Sequence, residues 1–152
     1  MLSKWKDKIP EYAKKFKDSG YTPEQTAGIL SSLFQESNFD PTKKQVGGKG
    51  FGFAQWTIGD VRYNELQDTA KIMGKPITDP EVQFKHLLTE LNAPTVQHIE
   101  NAWGGRGRRE QFLNTASVKE STKAFTDLFL RAGKADMPRR LKFSNYIYNL
   151  IK

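Results

Sequence analysis

Residues 28–57 read GILSSLFQESNFDPTKKQVGGKGFGFAQWT, and two kinds of chain follow one another within them. The first is helical. Ala27, Leu30 and Phe34 fall on one face, with Ile29 and Leu33 beside it. Its start lies just upstream: Thr22 suits the N-cap, Pro23 the first helical position and Gln25 the third position of a capping box. The pattern runs to about 35–37 and stops before Asn38-Phe39-Asp40-Pro41, because the residue before a proline is driven out of the helical region. Residues 42–57 differ from everything else in the chain. Gly47, Gly48, Gly50 and Gly52 stand close together among Val46, Phe51, Phe53 and Trp56. That mixture predicts a small irregular β-hairpin with close backbone approach, in the one strand region the sequence offers.

Helical patterns dominate on both sides. Upstream, Trp5, Ile9, Tyr12 and Phe16 recur at helical spacing over about 3–18, and Lys4, Lys6, Lys8, Lys14, Lys15 and Lys17 cover the remaining surface. Pro10 predicts a kink or a division into two short helices, and Gly20 the end of this basic segment, 1–19. Downstream, a helix over about 59–73 uses Val61, Leu66, Ala70 and Met73. Asp79-Pro80 opens another, which reaches Leu91 through Val82, Leu87 and Leu88. A third runs from near Pro94 to Ala102, and the Gly-Arg stretch 104–109 reads as loop. Ser117 and Glu120 form a second capping box, opening a helix with Ala124, Phe125, Leu128 and Phe129 that stops near Gly133. The last helix begins at about Pro138 and carries Leu141, Phe143, Ile147 and Leu150. No repeat, low-complexity tract or long linker divides the chain. The expectation is a single domain over 1–152, mainly α with one small hairpin.

The chain has 152 residues, enough for a core without covalent staples. It has no cysteine, which excludes disulfide scaffolds, thiolate zinc sites and Cys nucleophiles. Its two histidines, His86 and His98, leave no His-rich metal site, and in their helices they read as packing or surface residues. No apolar run approaches the roughly 18 residues of a spanning helix. The opening MLSKWKDKIPEY lacks the apolar stretch of a secretory signal. If the protein works outside the cell that makes it, a membrane hole, lysis or assembly into a particle has to deliver it. Lys and Arg number 24 against 17 Asp and Glu, a net charge of +7. This suits an acidic partner (nucleic acid, anionic membrane or bacterial wall), or solubility alone. Arg106, Arg108 and Arg109 read as a solvated loop or as a hold on an anionic polymer. Tyr12 and Phe16, with Trp5, read as core or as a surface-binding stripe beside the lysines.

Glu36 stands out as chemistry. It lies in the last turn of its helix, facing the negative end of the helix dipole, with Phe34 and Phe39 as neighbours that withdraw water. Both effects favour the protonated carboxyl that a general acid requires. The same position also suits an ordinary solvent-facing glutamate. The hairpin end, Gly52-Phe53-Ala54-Gln55-Trp56-Thr57, pairs aromatic faces with amide and hydroxyl groups, a combination suited to sugar rings. A phosphate loop is the competing reading, but the Lys-Ser/Thr ending and the strand–helix setting are missing.

On these residues the chain resembles the phage tail lysozymes of the lysozyme-like and transglycosylase-like superfamily. The family pattern is a helix ending in Glu-Ser, a small residue or Asn, an aromatic, a polar residue and Pro, followed by a Gly-rich hairpin ending Ala-Gln-Trp-Thr. Glu36-Ser37-Asn38-Phe39-Asp40-Pro41 and Phe51-Gly52-Phe53-Ala54-Gln55-Trp56-Thr57 match it position by position. The likeness extends more weakly to Gln83–Leu91 and to Phe125–Arg140, over most of 20–150. The family often has Gly and two arginines after the Trp; Ile58-Gly59-Asp60-Val61-Arg62 keeps one arginine. The basic first helix carries no motif that can be matched to the family.

The resemblance implies a lysozyme-like fold, with helical lobes around a cleft and the hairpin at its floor. It implies a muramidase cutting the β-1,4 bond between N-acetylmuramic acid and N-acetylglucosamine in peptidoglycan, with Glu36 as the acid. Ser37, Phe39, Gln55, Trp56, Thr57 and Tyr63 are the implied substrate-binding set. Ser37 also supports the turn that fixes Glu36, Gln55 and Trp56 line the subsites nearest the cut, and Phe53 packs the hairpin. For a second carboxylate the nearby candidates are Asp40, Asp60 and Glu65. Asp40 also suits a turn and Asp60 a helix cap. A single Glu also serves a lytic transglycosylase, which leaves an anhydro end. The implied setting is a phage tail or tail tip, with other tail proteins as partners, or release to the host wall. An endolysin of the same fold and a non-catalytic wall-binding tail module are the alternatives. No cofactor, metal or nucleic acid is implied, and a basic helical nucleic-acid binder lacks any recognition motif here.

Overall fold

A computed structural model describes residues 7–131 and 136–152. Lys4, Trp5, Lys6 and Gly133, used in the sequence reading, lie outside the described residues. Among the described residues the chain forms eight α-helices, two of them continued by π-helical turns, and one two-stranded antiparallel sheet. The protein is mainly α with one small hairpin, as the sequence predicts. It divides into two compact units: the described residues of Met1–Ser32 with Gly107–Lys152, and Leu33–Arg106. No helix among the described residues is long and apolar enough to cross a membrane.

In the first unit, α1 spans Ile9–Asp18 and buries Ile9, Tyr12, Ala13 and Phe16. Pro10 does not kink it. It sits in the first turn, where its missing N–H leaves no helical bond unmade. α2 spans Pro23–Ser37, and its capping box forms in both directions: Gln25 N–H donates to Thr22 Oγ1 and Thr22 N–H to Gln25 Oε1, each at 3.1 Å. α6 (Arg108–Leu113) occupies part of the predicted Gly-Arg loop. Arg108 donates to the carbonyls of Asp127 and Leu128, and the Arg109 charge acts on the Tyr21 hydroxyl, so both arginines serve the unit's own structure. α7 (Val118–Ala124) is capped by Ser117, which accepts from Glu120 N–H, and continues as π-helical Phe125–Leu130. α8 spans Met137–Ile151. Its buried residues are Arg140, Ser144, Ile147 and Ile151; of the predicted stripe Ile147 is buried, Leu141 and Phe143 are half-buried and Leu150 faces outward. Helices α2, α7 and α8 meet at small polar residues: Ser144 Oγ bonds Ser31 Oγ and accepts from Thr122 Oγ1. Gly28 makes that approach possible, since a Cβ there would stand 2.9 Å from Thr122 N.

The second unit contains the end of α2, the hairpin and three further helices. Strands β1 (Gly50–Phe51) and β2 (Trp56–Thr57) pair antiparallel, Gly50 with Thr57 and Phe51 with Trp56. A bridge from Lys44 to the other side of Phe51 adds a short third line of chain. A turn at 45–48 closes on Gly48 N–H to Gln45 O at 3.4 Å, with Gly47 at φ 71° and Val46 95% exposed. α3 (Val61–Met73) is capped by Asp60 and ends on left-handed Gly74. It buries Leu66 and Ala70, whereas Val61, predicted on its inner face, is exposed at the first turn. α4 (Pro80–Asn92) is capped by Asp79, packs against α3 and buries Val82, Phe84, Leu87 and Leu91. α5 (Val96–His98) continues as π-helical Ile99–Trp103, which buries Ala102 and Trp103 against the same core.

Candidate active site

All candidate site residues lie in the second unit. Glu36 occupies the last turn of α2, half-buried between Gln35 and fully buried Ser37. Ser37 Oγ faces two carbonyls, Leu33 O of its own helix at 3.0 Å and Phe53 O of the hairpin at 2.9 Å. The helix end and the hairpin are therefore joined at the residue next to Glu36. Beyond Ser37 the chain turns sharply: Asn38 and Phe39 are both left-handed, at φ 53° and 56°. Asp40 then closes an Asx turn, its Oδ1 accepting from Thr42 N–H at 2.9 Å and Thr42 Oγ1 at 2.6 Å.

The hairpin loop answers this from the other side. Phe53 is buried, with its ring 4.9 Å from that of Phe84 and edge-on to that of Phe39. Its N–H donates to Gln83 Oε1 at 2.9 Å. Gln83, itself fully buried, donates to Pro41 O at 2.8 Å and Ile77 O at 2.9 Å. Gly52, at φ 78°, leaves the space this amide needs, because a Cβ would stand 2.7 Å from Gln83 Oε1. Gln55, left-handed at φ 52°, turns its amide back to donate to Lys43 O at 3.1 Å and Gly52 O at 2.9 Å.

Trp56 belongs to a separate buried network. Its indole N–H donates to Glu90 Oε1 at 2.9 Å. Arg62 donates to the same carboxylate from Nε at 2.8 Å and Nη2 at 3.0 Å, and His86 Nε2 lies 3.6 Å from Glu90 Oε2. Burial alone would raise the Glu90 carboxyl. The Arg62 charge and its hydrogen bonds, with His86 close beside them, outweigh it and hold the carboxyl down at about 2.

The predicted set thus separates by exposure. Ser37, Phe39 and Trp56 are 1%, 1% and 2% exposed, so their surface is spent on packing beneath the hairpin. Glu36, Gln55 and Tyr63 are half-buried, and Thr57 is exposed. Tyr63 stands edge-on to Phe51 at 6.0 Å. Asp60 caps α3 through Val61 N–H at 2.7 Å, and Glu65 receives Asn101 at 2.7 Å with His98 Nε2 3.5 Å away. His86 packs inside, with Thr69 Oγ1 3.0 Å from its Nδ1. Among the described residues no group of three or more His, Asp or Glu is arranged to hold a metal ion.

The sequence reading assigned no role to Gln83 and Glu90. The available signal was a polar stripe on an apolar helix: Gln83, His86 and Glu90 are spaced by three and four, and all are buried.

A comparison with curated proteins returns no match. The family profile described as phage tail lysozyme matches residues 8–151, nearly the whole chain and both motifs around Glu36. The chain therefore belongs to the phage tail lysozyme family, and with it to the lysozyme-type enzymes that act on peptidoglycan in the bacterial cell wall.

Proposed function

We propose that the protein is a muramidase of a phage tail, with Glu36 as general acid at the β-1,4 bond between N-acetylmuramic acid and N-acetylglucosamine. One observation carries this reading: Ser37 Oγ, 2.9 Å from Phe53 O, ties the end of the Glu36 helix to the Gly-rich hairpin. A general acid has to be held against its substrate, and this bond fixes the acid's neighbour to the second motif. In the reaction Glu36 gives its proton to the glycosidic oxygen as the C1–O bond breaks. Its carboxylate then takes a proton from the water that attacks C1. Gln55, whose amide nitrogen is bonded within the hairpin, leaves its amide oxygen for the sugars, and Thr57 and Tyr63 offer hydroxyl and ring surface, beside buried Phe39, Phe53 and Trp56.

A second reading has its own support. Asp40 Oδ1 is engaged by Thr42, and Asp60 Oδ1 by the start of α3. Both carboxylates thus have structural work. A one-carboxylate route needs no partner for Glu36: the 6-hydroxyl of the muramic sugar attacks C1, Glu36 takes its proton, and a 1,6-anhydro end results. The setting that fits the family is the virion tail, beside other tail proteins, or the host wall after release.

Mass spectrometry of fragments released from purified peptidoglycan, by the parent and by Glu36→Gln, tests both readings. Glycan release by the parent alone supports Glu36 as the acid, with reducing muramic ends for the hydrolase and anhydro ends for the transglycosylase. Wall binding without cleavage on several wall types would leave a non-catalytic wall-binding tail module.

A further inference from the structure

We propose that Gln83 is a positioning residue for Glu36, acting through the strained turn that follows it; the proposal rests on Glu36 being the acid. Four residues close a ring of hydrogen bonds. Ser37 Oγ meets Phe53 O, Phe53 N–H donates to Gln83 Oε1, and Gln83 Nε2 donates to Pro41 O. The chain from Ser37 to Pro41 completes the ring. Inside it lie Asn38 and Phe39, two successive left-handed residues without a glycine. A bulky residue such as Phe at positive φ is an outlier, and such conformations persist where the surroundings over-determine them.

The surroundings here include the Asp40 N–H on Ser37 O at 2.9 Å, the buried Phe39 ring and the two ends of the ring of bonds. Ser37 is held at one end by the hairpin carbonyl, and Pro41 at the other by the Gln83 amide. Gln83 is the member that touches both sides, and a third bond, to Ile77 O at 2.9 Å, anchors it. It is 0% exposed, so water cannot replace any of these three partners. Phe53 has both of its backbone groups taken, one by the helix that carries Glu36 and one by Gln83. Loss of the Gln83 amide frees Pro41 O and Phe53 N–H together. The turn then relaxes toward ordinary backbone angles, and the last turn of α2 moves with it. Gln83 reaches the reaction only by way of this backbone.

The test compares the parent with Gln83→Met on soluble, uncross-linked peptidoglycan chains. Carbon chemical shifts of Asn38 and Phe39 are read alongside, as reporters of their left-handed angles. The expected result is a kcat lower by about tenfold to a hundredfold with KM within about twofold, and shifts at both residues moving toward ordinary values. Gln83→Glu, which when protonated keeps an acceptor for Phe53 N–H and a donor for one carbonyl, should lose less kcat at pH 5 than at pH 8 relative to the parent, and it is the variant to measure if Gln83→Met does not fold. Unchanged kcat, or lost kcat with unmoved shifts at Asn38 and Phe39, overturns the proposal. A parent that cleaves while Gln83→Met cleaves equally well removes this proposal alone; a parent that cleaves no glycan removes the Glu36 reading and this proposal with it.

Discussion

Glu90 carries two opposed effects on one carboxyl, and their balance has a measurable sign. Its folded-state value, about 2, lies below the ordinary value of 4.5. A carboxyl depressed on folding adds stability that is complete above its unfolded value and is lost as pH falls through the folded one. The window is therefore from about pH 4.5 down to about pH 2, and the contribution is on the order of 3 kcal/mol. Thermal unfolding followed across that range should show Glu90→Gln losing less stability than the parent as pH falls. At neutral pH the variant should be the less stable, because Arg62 is left partly unpaired in a buried place. At Glu36 the expectation is different: Glu36→Gln should cut glycan release by about a hundredfold or more with little change in melting temperature. The placement of Glu36 and Ser37 at a helix end was legible in the sequence because it is set locally, by the proline that follows. The burial of Trp56 was not, because it depends on Glu90, 34 residues further along the chain.

Among the elements, the helix starts were the most readable feature. Thr22 with Gln25 and Ser117 with Glu120 satisfy the first backbone donors within a few residues, so no tertiary information is needed to place them. Asp60 and Asp79 behave in the same way. Thr22→Ala should cost about 1 kcal/mol, visible as a lower midpoint in urea with an unchanged slope. Features set by distant partners were harder to read. The Gly-Arg stretch suggested loop, yet Arg108 and Arg109 open α6, because each finds a partner in another element of its own unit. On α8 the predicted apolar stripe is fully buried at Ile147 alone, because Arg140 and Ser144 are drawn inward by Thr126 and Thr122. Gly28 is a packing glycine, invisible to any turn rule. Gly28→Ala should destabilise by about 1–3 kcal/mol in chemical denaturation, since the methyl meets the backbone of Thr122 and no flexible side chain gives way.

For the molecule as a whole, the relevant quantity is the net charge of +7. An enzyme of this sign approaching an anionic wall gains from a field that salt screens. The Debye length falls from about 30 Å at 0.01 M salt to about 8 Å at 0.15 M. Wall lysis measured by turbidity should slow across that range, while cleavage of short glycan fragments, which carry few charges, should slow much less. At this scale the order of elements, helices on both sides of one Gly-rich hairpin, was readable from 28–57 and its flanks. The two π-helical turns, Ile99–Trp103 and Phe125–Leu130, were not, since each reads as plain helix in its apolar spacing.

The projecting turn at Val46 offers one more use. Its backbone is closed by the Gln45–Gly48 bond while the valine side chain stands almost wholly in solvent, in a protein with no thiol of its own. Val46→Cys would create a single addressable sulfur on a fixed support. A fluorophore attached there would sit on the hairpin yet outside the ring of bonds at Phe53, ready to report by its polarisation when the enzyme meets a glycan strand.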